Sequence, residues 1–278
     1  MIRRTTLLVA VLAMLGAACS STPSAHGGSQ STTAGSATPA TKVTAGATTP
    51  DPSTTTTAPT TTSTAPPPTT TTTLPPLPPP PATLRRGSSG VAVAALQQRL
   101  LSLGYWVDTT SGNFDDSTQQ AVYAYQKVAG VSADGSVGPI TAAALARGAL
   151  PTPQSHSGYV VEVDLERDLL MVVDNGHVSH VLNVSSGGGY TYSSGSGSAR
   201  AITPRGHFSV YRQIDGLRVS TLGELWRPKY FDGGFAVHGD SYVPPRPVSH
   251  GCVRVSDEAI DWIWSSGQMP LGTPVWLY

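Results

Sequence analysis

The chain has 278 residues, of which 12% are charged, about half of the roughly 25% usual in a soluble domain, so a substantial part is predicted not to be globular. Lysine plus arginine and aspartate plus glutamate both number 17, so the net charge is zero and the chain lacks the basic field that binds nucleic acid. The two cysteines, Cys19 and Cys252, exclude a dense disulfide framework and a four-cysteine zinc module within one chain.

Residues 1–19 are predicted to be an export signal. Two arginines near the start precede an uncharged run of 12 residues at 7–18, which is shorter than the roughly 20 residues that a bilayer core requires. The run ends in small residues before Cys19, and this junction resembles the lipobox of bacterial lipoproteins, whose cysteine is lipidated after cleavage just before it. The resemblance implies a lipid anchor at the outer face of the cytoplasmic membrane. Simple secretion is the alternative, because Gly16 stands where a lipobox usually has leucine.

Residues 20–83 are predicted to form a disordered linker. Only seven of these 64 residues fall outside Ser, Thr, Ala, Gly and Pro, so the segment cannot bury enough apolar surface to form a core. The Thr/Pro-rich part at 58–81 favours extended polyproline II. Such a tether would hold the globular part at a distance from a membrane anchor. A spacer without any required length is the alternative.

Residues 84–150 are predicted to form a small three-helix bundle. Apolar residues at spacings of three and four define one face of the first helix: Val93, Leu96, Leu100 and Leu103. Gly104 is the predicted stop of that helix. Ser117 is the predicted N-cap of the second helix, and the third is predicted to run from Pro139 to a stop at Gly148.

This module resembles the bacterial peptidoglycan-binding domain of the helical type. The likeness rests on short motifs that cover nearly the whole module: residues 84–90, 93–97, 103–105, 118, 121–122, 125–126, 134–135 and 138–139. The resemblance implies that the module binds the cell-wall polymer. Its aromatic residues Tyr105, Trp106 and Tyr123 fit either a core or a surface, and the core is the favoured interpretation.

Residues 157–278 are predicted to form a mainly β domain. Alternating apolar stretches at 159–163, 169–173 and 178–184 indicate strands, and Asn175-Gly176 between the last two is a strong hairpin signal. Four further short strands are predicted, at 206–211, 234–238, 252–255 and 273–278. One helix is predicted at 257–265, with Ser256 as its N-cap and two acidic residues in its first turn.

Two neighbouring motifs contain the titratable and nucleophilic side chains that are best suited to catalysis. Residues 238–240 read His-Gly-Asp, and residues 249–254 read Ser-His-Gly-Cys-Val-Arg. An exported protein is in an oxidising environment, in which free thiols tend to be oxidised. The unpaired Cys252 is therefore predicted to be either sheltered in a core or kept for its reactivity.

An extended conformation of residues 250–254 would place His250, Cys252 and Arg254 on one face, with the two neighbouring valines buried on the other. A nearby imidazolium or guanidinium then lowers the pKa of the thiol and makes it a better nucleophile. Gly251 leaves room for a substrate carbonyl, and backbone amides near the cysteine can hold an oxyanion. The motif therefore favours a reactive cysteine.

A metal site is the weaker interpretation of the same residues. Four of them could act as ligands: His238, Asp240, His250 and Cys252. The His-x-Cys spacing is tighter than the gaps usual for structural zinc, and a zinc-bound thiolate would be a weaker nucleophile. We therefore expect neither a metal nor a cofactor.

The stretch resembles the catalytic domain of the L,D-transpeptidase family, in which a histidine-containing strand precedes a Ser/Thr-His-Gly-Cys signature. In that family Arg or Asn stands two residues after the cysteine. Further likeness covers most of residues 158–278, at 160–170, 183–187, 203–208 and 272–275. The resemblance implies a mainly β catalytic domain, built as a β-sandwich with a short helix. Together with the predicted three-helix bundle and the disordered tether, this domain makes a multidomain protein.

The resemblance also implies a role for each site residue. Cys252 is the nucleophile that attacks the carbonyl joining meso-diaminopimelate to D-Ala in a tetrapeptide stem, which releases D-Ala and leaves an acyl-enzyme. His238 is the proton acceptor and donor, and His250 shapes the site and the oxyanion region. Arg254 binds a stem carboxylate, with a structural salt bridge as the alternative. Substrate contacts are also expected from four small residues: Gly233, Gly234, Ser249 and Gly251.

Segments beside the site are less informative. Residues 186–198 are predicted to form a long loop, and Trp226 and Tyr242 fit either a cleft wall or a packed core.

Three functions follow from these expectations. The leading one is an exported, cysteine-dependent cell-wall enzyme that forms 3-3 cross-links between stem peptides, held on its polymer by the helical module. The second is an L,D-carboxypeptidase that uses the same Cys252 with water as the acceptor. The third is a wall-binding lipoprotein whose thiol is inert. The expected partners are peptidoglycan stem peptides and glycan, and a membrane through Cys19.

Overall fold

The computed structural model describes residues 82–195 and 197–278. The predicted export signal, Cys19 and nearly all of the predicted tether lie outside the described residues. The residues that are described belong to one compact unit. Within these ranges, every helix falls short of the length and apolarity that a membrane crossing requires.

Three helices form the N-terminal module, as the sequence predicts: α1 (Val91–Ser102), α2 (Asp116–Ala129) and α3 (Pro139–Arg147). Leu96 of α1 and Tyr125 of α2 are fully buried in the core of this module, because burial of such large apolar surfaces drives the helices together. The ring of Tyr105 packs edge-on against that of Tyr125, with centroids 5.2 Å apart. Tyr105 and Trp106 are both buried and Tyr123 is half-buried, so the core interpretation is confirmed for the first two.

The predicted N-cap of α2 is wrong by two residues. Asp115, not Ser117, caps the helix: its carboxylate accepts the backbone N–H of Thr118 at 2.9 Å. The hydroxyl groups of Ser117 and Thr118 donate to the same carboxylate oxygen at 3.0 and 2.7 Å. A carboxylate that collects three donors outcompetes a hydroxyl, and it also interacts favourably with the positive end of the helix.

The second module contains twelve strands and one helix. Their bounds are β1 (Tyr159–Asp164), β2 (Leu169–Asp174), β3 (His177–Asn183), β4 (Thr191–Ser194), β5 (Gly197–Arg200), β6 (Gly206–Ser209), β7 (Arg212–Gln213), β8 (Leu217–Ser220), β9 (Gly223–Asp232), β10 (Phe235–Gly239), β11 (Val253–Val255), α4 (Asp257–Ser265) and β12 (Pro274–Leu277).

These strands form two larger sheets and a hairpin. The first sheet has the order β3-β2-β1-β12-β6, and the second has the order β11-β10-β9-β7 with β8 also paired to β9. The hairpin β4–β5 stands apart, in the segment that was expected to be a loop. Asn175 and Gly176 both have positive φ in the two-residue turn between β2 and β3, as the hairpin signal predicts.

Apolar side chains from both large sheets and from α4 share one core. They include Val161, Val163, Leu170, Val172, Val237, Val253, Val255, Ile260 and Ile263. The module is therefore mainly β, with its sheets packed over a common core and a single helix. The predicted N-cap of α4 is confirmed, because Ser256 accepts the backbone N–H of Ala259 at 3.2 Å.

Strand β9 was missed by the sequence analysis because Pro228 and several charged residues interrupt its apolar pattern. The strand contains an irregularity: Val237 pairs with Lys229 and Gly239 with Trp226, so two residues of β9 stand opposite the single residue His238. Arg227, one of these two, has a positive φ of 48°. The distortion is a β-bulge, and bulges of this kind aim a side chain away from the regular ladder.

The two modules are joined by backbone pairing as well as by side chains. The Trp106 N–H donates to the Val181 carbonyl at 3.0 Å, and the Val181 N–H donates to the Gly104 carbonyl at 2.8 Å. The Trp106 ring packs against Trp262 of α4, with centroids 5.7 Å apart. The helical module therefore extends the exposed edge of the first sheet.

Candidate active site

A cavity of about 450 Å³ brings together most of the predicted site residues. Its walls include Gly233, Gly234, His238, Ser249, His250, Cys252 and Arg254. Gly251 is buried behind them. Trp226 and Tyr242 do not line the cavity: the Trp226 indole N–H donates to Asp261 at 2.8 Å, and Tyr242 is exposed.

Cys252 lies at a bend just before β11, with its side chain partly exposed to the cavity. Its Sγ is 3.8 Å from the Gly234 carbonyl oxygen. Burial raises the pKa of this thiol above its usual value, and it outweighs the lowering effects of a backbone hydrogen bond from Ala236 and of the Arg254 charge. The Arg254 charge therefore acts on the thiol pKa in the expected direction, but burial dominates and the net shift favours the neutral thiol.

His238 lies on β10, opposite the bulge in β9, and is only 4% exposed. Its Nδ1 is 2.8 Å from the Gly239 carbonyl oxygen. Because a carbonyl can only accept a hydrogen bond, Nδ1 carries the proton and Nε2 is the basic nitrogen. Burial lowers the pKa of His238 to about 4, although the Gly239 bond and the Asp240 charge act in the opposite direction. The ring is therefore neutral at neutral pH and able to accept a proton.

His250 is held between aromatic rings that the sequence analysis did not assign to the site. Tyr192 and Tyr190, from the β4–β5 hairpin and the residues before it, meet His250 edge-on with centroids 4.7 and 5.5 Å away. Burial, and then the charge of Arg254, lower the pKa of His250. The alternation Tyr-Thr-Tyr at residues 190–192 was a usable signal, because an extended segment places its first and third side chains on one face.

A set of short hydrogen bonds shapes the turn that carries the cysteine. The Ser249 hydroxyl donates to the Cys252 carbonyl at 2.6 Å and accepts the Gly251 N–H at 2.9 Å. The Thr203 hydroxyl donates to the Gly251 carbonyl at 2.8 Å. The Ser249 hydroxyl is thus engaged in shaping this turn. Thr203 is a site residue that the sequence analysis used only as part of a family motif.

Gly251 is required by both conformation and space. Its φ is 138°, which L side chains rarely adopt. A Cβ at this position would stand 2.4 Å from a ring carbon of Phe235 and 2.9 Å from the Ile202 carbonyl oxygen. Consequently the segment is not extended throughout, although His250, Cys252 and Arg254 still line one cavity and the two valines are buried.

Arg254, which lines the cavity, forms an ion pair with Asp240. Arg254 Nε is 3.2 Å from Asp240 Oδ2. The geometry of this contact falls short of a hydrogen bond, and among the described residues this buried Nε has no hydrogen-bond acceptor. Arg254 therefore forms a salt bridge and also places a positive charge at the cavity wall, so it fits both of the roles considered from the sequence. No group of three or more His, Cys, Asp and Glu residues suited to a metal ion occurs within 82–195 and 197–278.

Further charged residues come from the strands that the sequence analysis missed. Arg212 of β7, Arg218 of β8 and Glu224 of β9 line the same cavity. The Arg212 guanidinium lies over the ring of Tyr230, 5.1 Å from its centroid. With Arg254, these side chains give the cavity wall three cations and one carboxylate, a balance suited to a ligand with carboxylate groups.

Comparisons with known proteins agree with this arrangement. The family model described as an L,D-transpeptidase catalytic domain matches residues 158–277, and a peptidoglycan-binding domain model matches residues 89–145. An L,D-transpeptidase structure from Xylanimonas cellulosilytica is 54% identical, covers 72% of this chain and 100% of its own, and superposes with a TM-score of 0.69.

Two further relatives are more distant. An L,D-transpeptidase structure from Stackebrandtia nassauensis is 22% identical over 70% of this chain and 94% of its own, with a TM-score of 0.40. The N-acetylmuramoyl-L-alanine amidase CwlL of Bacillus licheniformis is 45% identical over 62 residues, which are 22% of this chain and 17% of the amidase.

Proposed function

Because the chain belongs to the L,D-transpeptidase catalytic domain family and carries a peptidoglycan-binding domain, we propose that it forms 3-3 cross-links in peptidoglycan through an acyl-enzyme on Cys252. The observation that carries the proposal is the shared cavity of Cys252 and His238, in which a neutral thiol faces the same space as a neutral imidazole. A thiol inert in a packed core would have no such access. The peptidoglycan-directed domains also indicate a site of action in the cell wall.

The proposed chemistry begins with removal of the thiol proton. Nε2 of His238 accepts that proton while Sγ of Cys252 attacks the carbonyl between meso-diaminopimelate and D-Ala. Backbone N–H groups of the cysteine turn stabilise the oxyanion, and the imidazolium returns the proton to the amine of the departing D-Ala. The product of this half-reaction is a thioester on Cys252.

An amine of a second stem completes the reaction. It attacks the thioester carbonyl and gives up a proton to His238, and the collapse of the intermediate restores the thiol. The cations of the cavity wall, Arg212, Arg218 and Arg254, are proposed to bind the carboxylates of the stems. If water replaces the amine, the same steps give an L,D-carboxypeptidase.

The test uses the full chain and purified peptidoglycan fragments with tetrapeptide stems. Cross-linking yields a product whose mass is the sum of two stems minus one D-Ala, whereas hydrolysis yields a tripeptide and D-Ala. Cys252→Ala is expected to abolish both products, and the matched variant Cys19→Ala is expected to retain them in solution. Tripeptide as the sole product would replace the transferase by the carboxypeptidase. Cross-linking that survives Cys252→Ala would overturn the proposal.

The membrane anchor is a separate proposal. We propose that Cys19 is lipidated after removal of the export signal. In cells, Cys19→Ala is then expected to move the protein from the membrane fraction to the medium or periplasm, while Cys252→Ala remains with the membrane. Equal fractionation of the two variants would refute lipidation and leave simple secretion.

A further inference from the structure

A buried polar network connects α2 of the helical module to the catalytic domain. Asn183, at the end of β3, is 3% exposed and stands at its centre. Lys127 Nζ donates to Asn183 Oδ1 at 2.6 Å, and Asn183 Nδ2 donates to Gln120 Oε1 at 2.6 Å. Lys127 also donates to the carbonyls of Asp168 and Val184, at 2.9 and 3.3 Å. Two side chains of one helix thus bond to the amide of Asn183, whose Nδ2 also donates to the Val243 carbonyl at 3.4 Å.

The segment that follows Asn183 pairs directly with the segment that carries the cysteine. Ser185 and Arg254 exchange both backbone hydrogen bonds, each at 3.0 Å. The Ser249 N–H donates to the Ser186 carbonyl at 2.9 Å, and the Gly188 N–H donates to the Ser249 carbonyl at 3.0 Å. These four backbone bonds flank Cys252 on both sides, and each of them involves a residue of 185–188.

The same network holds the connection between the two catalytic motifs. Gln120 Nε2 donates to the Val243 carbonyl at 3.1 Å, across the boundary between the modules. The Ser185 hydroxyl donates to the Arg246 carbonyl at 2.8 Å and accepts the Val248 N–H at 3.1 Å. The connection between His238 and Cys252 is therefore fastened at three points, one of them by the helical module.

From these contacts we infer that Gln120 and Lys127 of the helical module are positioning residues for the catalytic cysteine. This inference rests on the proposed function only in one respect: the rate that the two residues are expected to affect is the rate of cross-linking. The helical module is then a structural part of the active site in addition to its binding role. The two side chains act through Asn183 and Val243, and they touch neither the cavity nor its ligand.

The physical reason is the penalty for leaving buried polar groups without partners. Removal of the Gln120 amide leaves one N–H of Asn183 without its acceptor in a buried place, and it leaves the Val243 carbonyl with only the 3.4 Å bond from Asn183 Nδ2. The lost hydrogen bonds are replaced only if water enters or if the backbone segments move. Because residues 185–188 and 243–248 are bonded to the cysteine segment, a movement there changes the position and hydration of Cys252.

A matched pair of substitutions tests the inference. Gln120→Met removes the amide of the network with little change of volume. Gln97→Met removes another buried amide of the same module, whose three hydrogen bonds, to Asn113, Thr118 and Gly112, all lie inside that module within the described residues. Lys127→Met removes the ammonium group that bonds to the other side of Asn183. This variant replaces Gln120→Met in the test if Gln120→Met does not fold.

Three measurements are made on the full chain, each well below the melting temperature of every variant. They are the melting temperature, kcat and KM for cross-linking of soluble stems, and the pH dependence of Cys252 alkylation by iodoacetamide, followed by peptide mapping. The alkylation reports on the thiol without any substrate. Its result remains informative if no cross-linked product forms, so failure of the proposed function and failure of this inference are distinguishable.

We expect Gln120→Met and Lys127→Met to lower kcat about tenfold with little change in KM, as for a misplaced reacting group. The alkylation midpoint is expected to move down by about half a pH unit, since a more hydrated thiol has a lower pKa. Gln97→Met is expected to lower the melting temperature while it leaves kcat and the alkylation profile unchanged. The same rates and profiles in Gln97→Met and Gln120→Met would overturn the inference.

Discussion

The protonation states of Cys252 and His238 lead to a sharp kinetic prediction. The thiol pKa is raised above its usual 9.0, so less than about 1% of the sulfur is thiolate at pH 7, since each pH unit is a factor of ten. His238, with a pKa of about 4, is neutral at the same pH. The enzyme is therefore expected to rest as a thiol beside a neutral base, and not as a thiolate–imidazolium pair.

Two reactions of Cys252 separate these states. Alkylation by iodoacetamide consumes preformed thiolate, so its rate is expected to rise about tenfold per pH unit from pH 6 to beyond pH 9 without an earlier plateau. The substitution His238→Gln is expected to leave that profile nearly unchanged. Cross-linking, in contrast, needs the base, so His238→Gln is expected to lower kcat by about 10²–10⁴. Wild-type kcat should stay nearly constant between pH 6 and 8, because His238 is already neutral there.

One outcome refutes the reasoning. If alkylation reaches a plateau below pH 7, and the plateau disappears in His238→Gln, then an ion pair exists in the resting enzyme. Burial would then not dominate the pKa of the thiol. The melting temperature of His238→Gln, measured alongside, separates a lost base from a lost fold.

Three further predictions concern stability and the walls of the cavity. The pKa of His238 is lower in the folded chain than the usual 6.5, so at acidic pH the unfolded chain binds a proton that the folded chain does not. The contribution of His238 to the free energy of unfolding is therefore full above about pH 6.5 and falls by about 3 kcal/mol as the pH drops towards 4. Urea unfolding across that range measures the loss, and His238→Gln should remove most of it. Thr203→Val deletes the hydroxyl bound to Gly251 and is expected to cost about 1–3 kcal/mol and to lower kcat; unchanged kcat would show that the bond does not shape the turn. Tyr192→Ala removes a ring that buries His250, so NMR titration should show the pKa of that histidine rising towards 6.5, and an unmoved pKa would contradict the assigned cause.

Local sequence signals were sufficient for much of the fold. The apolar spacing in α1, the Asn-Gly turn between β2 and β3 and the Ser256 cap of α4 were all predicted and confirmed. Each depends on groups within one or two turns of chain, so the residues themselves specify it. The Asp115 cap of α2 is an exception, because two acceptors competed within the same few residues.

The amino-acid sequence by itself determined the family and indicated most of the residues that line the cavity, because motifs such as Ser-His-Gly-Cys are contiguous. Only the tertiary structure decided how those residues behave. The pKa of Cys252 depends on burial by segments that are distant in the sequence. His238 lies opposite a bulge in β9, a strand that was not predicted because Pro228 interrupts its pattern. Asn183 bonds to a helix of the other module. Burial and long-range contacts arise only when distant segments pack together, and no local pattern contains them.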